Sequence, residues 1–496
     1  MKKYLAKLLN IKGIKSLLFF ISGSLTALAF APYYLIFIPF ITLSLLFKYI
    51  NDSTSRKSIF SGTFWFGFGL GGCSTSWIAN ALMVDGGQFA YLIPIAFIGM
   101  GILFGLFYAI PAVLSTFYLT GFRRLLAFSA LFTIFEWIRS WFLTGFPWNL
   151  LGSAWENTLP ILQSASVWGV YGLSFLTIFV CCSLSFLPQK KIPCIGLLVL
   201  ACTYFAGLGR LYTATDATIW GTKIRIVQPN IAQTLKWDPA EAENSFSKLI
   251  RLSRENNQDI THVIWPESAV PFIVNRANDE RPRMMQAVRQ GGTLILGGLR
   301  ADEQKKTYAN SLFVLDDFAN IQAFYDKSHL VPFGEYVPLR NIIPFDKIVP
   351  LPFDFAEGED NQTLYVQKTP PFSPLICYEV IFSGRVARKD KRPDWLVNVT
   401  NDGWYGISAG PHQHLGMAKM RAVEEGLPIA RSANTGISAV FDGYGRIVGQ
   451  TQLGTEAVLD TVLPVPLSQT PYGRFGIWIP IGFSFILLLF LRFKRK

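Results

Sequence analysis

Leu375-Ile376-Cys377-Tyr378-Glu379 is a short apolar run that ends on a thiol and a carboxylate. It reads as the end of a buried strand followed by a turn. Its cysteine is the only one between residues 210 and 474. The other five, Cys73, Cys181, Cys182, Cys194 and Cys202, lie in apolar runs. A lone thiol in a long polar segment cannot close an internal disulfide. Upstream, Trp265-Pro266-Glu267 and Tyr325-Asp326-Lys327 also set a charged side chain at the end of a strand-like run. A base, a cation and a thiol at successive strand ends are the parts of an acyl-transfer site. The bland alternative for an isolated cysteine is a buried structural thiol.

The surrounding segment has the grammar of a mixed sheet. Lys223–Pro229, His262–Glu267, Thr293–Leu299, Ser311–Leu315, Pro374–Cys377, Trp395–Val399 and Ile437–Phe441 read as strands. Helices are expected between them, near 239–256, 281–290, 380–388 and 411–426. The pair 308–316 and 321–327 reads as a hairpin, as does Phe441-Asp442-Gly443-Tyr444-Gly445-Arg446 with Ile447-Val448. Strands alternating with helices predict a sheet covered by helices.

Composition divides the 496 residues sharply. A chain this long exceeds one core. The net charge of +12 suggests a nucleic-acid surface until it is split. Residues 211–474 hold 27 Lys and Arg against 29 Asp and Glu, while the remainder holds 18 against 4. The basic excess therefore belongs to the apolar parts, the reverse of what a phosphate-binding domain needs, and no nucleic-acid partner is expected.

Eight apolar stretches, near 16–31, 33–47, 59–79, 89–118, 125–143, 164–187, 192–209 and 474–491, read as membrane spans. Lys and Arg cluster before the first and after the second, fourth, sixth and eighth. Loops 80–88 and 144–163 carry none. The positive-inside rule places both termini in the cytoplasm and residues 210–474 across the membrane. The domains expected are 1–210 (spans one to seven), 211–473 (catalytic) and 474–496 (span eight and tail). A competing reading takes Lys-rich residues 1–15 and the run ending Ala29-Phe30-Ala31 as a cleaved signal peptide. Glu136 and Arg139, inside the fifth stretch, can pair at i, i+3, either for function or to hold the bundle together. Thr144-Gly145-Phe146-Pro147-Trp148-Asn149 reads as an interfacial aromatic turn or as the wall of a lipid-access groove. Residues 343–356, apolar and broken by prolines, read as a lid facing lipid or as a loop on the domain's own core.

Longer strings carry a family likeness. Gln228-Pro229-Asn230-Ile231-Ala232-Gln233 with Trp237, Tyr325 through Pro338, Asn398 through Gly406, and Arg431 through Gly436 resemble the bacterial apolipoprotein N-acyltransferases, a membrane-bound branch of the nitrilase superfamily. The likeness runs over nearly the whole chain. It implies an eight-span α-helical bundle joined to an α+β, αββα sandwich. It implies transfer of an acyl chain from a membrane phospholipid, through a cysteine thioester, to the N-terminal α-amine of a diacylglyceryl-cysteine apolipoprotein. The expected setting is the periplasmic face of the inner membrane, with ping-pong kinetics. Glu267, Lys327 and Cys377 match the family's triad. Glu335, Tyr378, Glu379 and Trp237 match supporting positions.

Residue chemistry agrees with that role. Lys327 would favour the Cys377 thiolate, Glu267 would take its proton, and Lys327 with the Tyr378 N–H would hold the oxyanion. Glu335 and Glu379 are either members of an acid–base shuttle or hydrogen-bond anchors that orient Lys327. Trp237 is either a substrate contact or a core tryptophan. His262, His329, His412 and His414 lack ligand spacing, so neither metal nor cofactor is expected, and the chain is expected to act as a monomer in the bilayer. Two rivals remain: a tethered amidase using water as acceptor, and a non-enzymatic transporter or scaffold.

Overall fold

The computed structural model describes residues 13–84, 86–236, 238–338, 354–360 and 362–493. The chain divides into two compact units. The first comprises Met1–Ala79, Ala90–Thr213 and Phe475–Lys496, and the second Asn80–Phe89 and Ala214–Arg474.

The first unit is helical. Helices Ile14–Thr26, Phe37–Asp52, Arg56–Ser74, Ile93–Ser115, Phe122–Arg139, Ala165–Ser183, Lys191–Tyr212 and Trp478–Phe493 fall on the eight apolar stretches. Among the described residues, three helical segments are long and apolar enough to cross a membrane: Ala90–Ser115, Ala165–Gln189 and Lys191–Tyr212. The others fall short for visible reasons. Arg56–Ser74 is diluted by glycine, Phe122–Arg139 carries Arg123, Arg124, Glu136 and Arg139, and Phe37–Asp52 is short. The glycines have a packing use. A Cβ on Gly67 would stand 2.6 Å from the Phe104 carbonyl, so glycine lets helices Arg56–Ser74 and Ile93–Ser115 approach closely.

Glu136 and Arg139 do share a face, 3.9 Å apart and buried. Glu136 Oε1 accepts the Leu151 amide at 2.8 Å, and Arg139 donates to the Trp148 carbonyl at 2.9 Å. The pair thus pins the segment after its own helix. Trp148 is fully buried, 4.6 Å from Trp77 between ring centroids. It lies inside the helical unit.

The second unit holds two six-stranded sheets. One has the order β12-β1-β2-β3-β4-β5 and the other β11-β10-β9-β8-β7-β6. The first is built from β1 (Thr218–Gln228), β2 (His262–Trp265), β3 (Thr293–Asp302), β4 (Thr307–Leu315), β5 (Ile321–Asp326) and β12 (Ala457–Pro464). The second is built from β6 (Leu364–Val366), β7 (Thr369–Ile376), β8 (Trp395–Thr400), β9 (Ile429–Ala433), β10 (Ala439–Phe441) and β11 (Ile447–Gln450). At the centre of each sheet the pairing is parallel, β1-β2-β3 and β7-β8-β9. Strands β2 and β8 are buried along their whole length, as parallel strands covered on both faces must be.

The sheets face each other through one core, Ile224, Ile264, Ile295 and Leu312 from the first against Phe372, Trp395, Val397 and Val440 from the second. Each such burial contributes about 1.5–3 kcal/mol. Helix Ala242–Arg254 covers the outer face of the first sheet with Phe246, Leu249 and Ile250, a one-sided stripe at helical spacing. Helix Ala409–Glu425 packs on β9 and β10, capped by Ser408 at its start and by left-handed Gly426 at its end. The layers are therefore helix, sheet, sheet, helix.

The seven expected strands are present with shifted ends. Strands β6, β9 and β12 were not expected. The helix expected over 380–388 is absent. A 3₁₀ turn, Cys377–Ile381, stands in its place, and bends follow, because Gly384 at φ +77° interrupts any continuation.

Candidate active site

Glu267, Lys327, Cys377 and Asn401 each lie just beyond the C-terminal end of a strand: β2, β5, β7 and β8. That edge is where parallel strands present side chains to a ligand. Cys377 opens its 3₁₀ turn at φ +50°, a left-handed conformation that costs a non-glycine residue on the order of 1–3 kcal/mol. Two buried contacts hold it there. The Ile376 amide donates to Glu379 Oε2 at 2.7 Å, and His414 Nε2 lies 3.2 Å from the Cys377 carbonyl. His414 is itself fixed by Asp402 at 2.8 Å, and Asp402 pairs with Arg431 at 2.7 Å.

Glu267 and Glu335 flank Lys327. Its Nζ lies 2.9 Å from Glu335 Oε2 and 3.6 Å from Glu267 Oε1. The Asn310 amide donates to both carboxylates at 2.8 Å. The Asn401 N–H donates to Glu267 Oε2 at 2.8 Å, and Val331 N–H to Glu335 Oε2 at 2.8 Å. Lys236 Nζ donates to the Glu267 carbonyl at 2.8 Å. Gly297 makes room for this turn. A Cβ there would come 2.5 Å from Glu267 Cα.

Glu379 is an anchor. Its Oε1 accepts from Tyr325 Oη at 2.8 Å and from the Ser328 N–H at 2.7 Å. Its Oε2 takes the Ile376 amide. One carboxylate thereby ties the turn carrying Lys327 to the turn carrying Cys377. Burial pushes its pKa up, against the pull of those hydrogen bonds and of Lys327.

Lys327 does favour the Cys377 thiolate, but burial and the Glu267 charge outweigh it, and the thiol is pushed up to about 12. The resting sulfur is protonated. Burial lowers the affinity of Lys327 for its proton, yet Glu335 and Glu267 more than offset this and hold it above the ordinary range, as an ammonium. Lys236 goes the other way. Burial lowers it to about 8, against the opposing pull of Glu267 and Cys377.

The structure brings Glu267, Lys327, Glu335, Cys377, Tyr378 and Glu379 into one cluster. Trp237 lies outside the described residues, as do residues 343–353 of the expected lid. Four contributors escaped the sequence reading: Lys236, Asn310, Asn401 and the Asp402–His414–Arg431 network. Asn401, Asp402 and Arg431 stand in the family-like strings, and Lys236 precedes Trp237. Only burial and contact separate them from ordinary polar residues. His262 bonds to Thr261 and Thr369 at the other end of β2.

Residues 22–183 match the family model for the apolipoprotein N-acyltransferase N-terminal domain. Residues 223–470 match the model for carbon-nitrogen hydrolases. An apolipoprotein N-acyltransferase of Rhodopseudomonas palustris is 36% identical over 96% of this chain and 94% of its own. The chain belongs to the apolipoprotein N-acyltransferase family. Its relative in Bradyrhizobium diazoefficiens is 37% identical over 96% of this chain and 94% of its own. The relative in Rickettsia prowazekii is 36% identical over 94% and 96%. In this family's terms, the helical first unit contains the N-terminal match, and the paired sheets are the carbon-nitrogen hydrolase fold.

Proposed function

We propose that the chain moves an acyl chain from a membrane phospholipid to the N-terminal α-amine of a diacylglyceryl-cysteine apolipoprotein, with Cys377 as the carrier. Acyl transfer in lipoprotein maturation is the activity of its family. The observation that carries the residue-level reading is the buried cluster of Lys327, Glu267 and Glu335, whose Lys327 and Glu267 charges act on Cys377.

Glu267 takes the Sγ proton as the sulfur attacks the donor's ester carbonyl. Lys327 and the Tyr378 N–H, in the first turn after the nucleophile, stabilise the oxyanion. The intermediate collapses, the leaving oxygen regains the proton from Glu267, and lyso-phospholipid departs from a thioester. The acceptor's α-amine, with pKa about 8, gives its proton to Glu267 and attacks the thioester. The amide forms as the C–S bond breaks; the departing Sγ takes the proton back from Glu267, and the nitrogen's second proton passes to solvent, which restores the thiol. Lyso-phospholipid leaves before the acceptor attacks the thioester, which makes the kinetics ping-pong. Glu335 holds Lys327, and Glu379 locks the two turns together. Trp237 serves as a substrate contact.

The membrane setting follows from the charge pattern. All eight apolar stretches contain helices, and we read each as a span, with both termini cytoplasmic and residues 211–473 on the periplasmic face of the inner membrane. The chain acts as a monomer.

The test is transfer from phospholipid labelled in one acyl chain to a diacylated lipopeptide bearing a free α-amine. The expected product is labelled N-acyl lipopeptide. Release of labelled free fatty acid alone, with acceptor present, would mark an amidase-like hydrolase instead. Full activity in a Cys377→Ala variant would mark a non-enzymatic role.

A further inference from the structure

Two carboxylates and one ammonium leave a charge deficit beside Cys377. Glu267 and Glu335 both lie within 3.6 Å of Lys327 Nζ, so their sum is one negative charge before the sulfur ionises. Moving the Cys377 proton to Glu267 keeps the total at minus one, now spread over the thiolate, Glu335 and Lys327. In a buried site an uncompensated charge is costly. A second cation is at hand. Lys236 is 6% exposed, donates to the Glu267 carbonyl at 2.8 Å and interacts with both the Glu267 and Cys377 charges.

The segment that delivers Lys236 is held firmly. It leaves β1 and reaches the site from a different strand than Lys327 does. Asn434 Nδ2 donates to the Ile231 carbonyl at 2.8 Å, and Asn434 Oδ1 accepts the Ile231 amide at 3.0 Å. Gln233 accepts from Asn401 Nδ2 at 2.6 Å, while the Asn401 backbone N–H holds Glu267. The same asparagine thus fixes the general base and the loop carrying the extra lysine. Nothing about a solvent-facing lysine requires such anchoring.

We propose that Lys236 is a positioning residue of the acyl-transfer site, a second cation that fixes the Glu267 turn and supplies the charge that lets Cys377 form its thiolate. This rests on the reading of Cys377 as nucleophile. It makes the site a four-charge arrangement of Glu267, Glu335, Lys327 and Lys236 around one sulfur, neutral overall while the thiol keeps its proton. Burial lowers Lys236 to about 8, so its help is full below that pH and fades above it as the ammonium becomes a neutral amine.

The experiment is peptide-resolved alkylation of Cys377 by iodoacetamide in the detergent-solubilised full chain, from pH 6 to pH 10. Wild type, Lys236→Met and Lys236→Arg are compared, with melting temperature as the control for folding. Lys236→Met should slow Cys377 alkylation about 10-fold below pH 8, the effect of roughly one pKa unit on the thiol. The ratio of wild type to Met variant should fall toward one above pH 8. Lys236→Arg should restore most of the rate and, keeping its charge, should overtake wild type above pH 8. A Met variant slowed by the same factor at every pH would show a merely structural lysine and overturn the proposal. So would one with unaltered alkylation. If the Met variant does not fold, the Arg-to-wild-type ratio decides alone, and a ratio flat across pH 8 overturns it. Alkylation reads the charge without any acyl chain, so failure here leaves the nucleophile assignment standing. Acyl transfer by Cys377→Ala would sink that assignment separately.

Discussion

Glu335 Oε2 lies 2.9 Å from Lys327 Nζ, with both side chains buried. That separation makes Glu335 the nearer of the two carboxylates on the lysine and the main reason its ammonium stays charged in a dry site. Glu267, at 3.6 Å, is left freer to exchange a proton with Cys377.

Glu335→Gln tests this division of labour. The amide keeps the shape but removes the nearer of the two charges that hold Lys327, so the cation at the oxyanion is weakened. We expect Cys377 acylation to fall about 10²-fold, the size of effect seen when an oxyanion donor is lost. Single-turnover acylation with labelled phospholipid measures it. A loss confined to the lipopeptide step would contradict the assignment.

Gly297→Ala should act on Glu267 without touching chemistry directly. The added methyl would stand 2.5 Å from Glu267 Cα and 2.8 Å from the Pro266 carbonyl, so the turn bearing the base must move. Misplacement of this kind costs up to about 10²-fold in rate. The expected outcome is a reduced kcat with little change in KM, read by the lipopeptide assay.

Asp402 couples acid stability to the geometry of Cys377. Burial disfavours its charge, but Arg431 and His414 hold the carboxyl well below its ordinary value of 3.8. A depressed carboxyl stabilises the fold above the unfolded value and loses that contribution as pH falls through the folded one. The wild-type melting temperature should therefore decline below about pH 4. Asp402→Asn should be less stable at pH 7, because the buried Arg431 charge loses its carboxylate, at a cost of about 3–5 kcal/mol. It should also lack that part of the acid-side decline. Melting curves from pH 7 to pH 3 check both.

Arg139→Ala should do the converse, harming stability and sparing chemistry. It removes the cation beside Glu136 in the helical unit and one donor to the Trp148 carbonyl. We expect a lower melting temperature and unchanged Cys377 alkylation in the folded fraction.

Much of this was legible in the chain because strand ends announce themselves. Trp265-Pro266-Glu267, Tyr325-Asp326-Lys327 and Leu375-Ile376-Cys377 each set one charged or thiol side chain after a strand-like run, and all three of those side chains stand just past a strand end. Strand β9, Ile429-Ala430-Arg431-Ser432-Ala433, was not legible, because its arginine and serine interrupt the apolar run. Only the facing Asp402 and Asn398 make Arg431 fit a core strand. The helix expected over 380–388 failed because apolar spacing does not register the positive φ that Gly384 adopts. Lys236 and Asn310 were invisible for another reason. A buried polar residue differs from a surface one only in its partners, and those lie far away in sequence.

The most direct measurement is mass spectrometry of the Cys377 peptide after the full chain meets labelled phospholipid without acceptor. The account predicts one acyl group on Cys377, labile to hydroxylamine and discharged when a diacylated lipopeptide with a free α-amine is added. An unmodified Cys377 alongside continuing acyl transfer, or an acyl group carried by another residue, would contradict it.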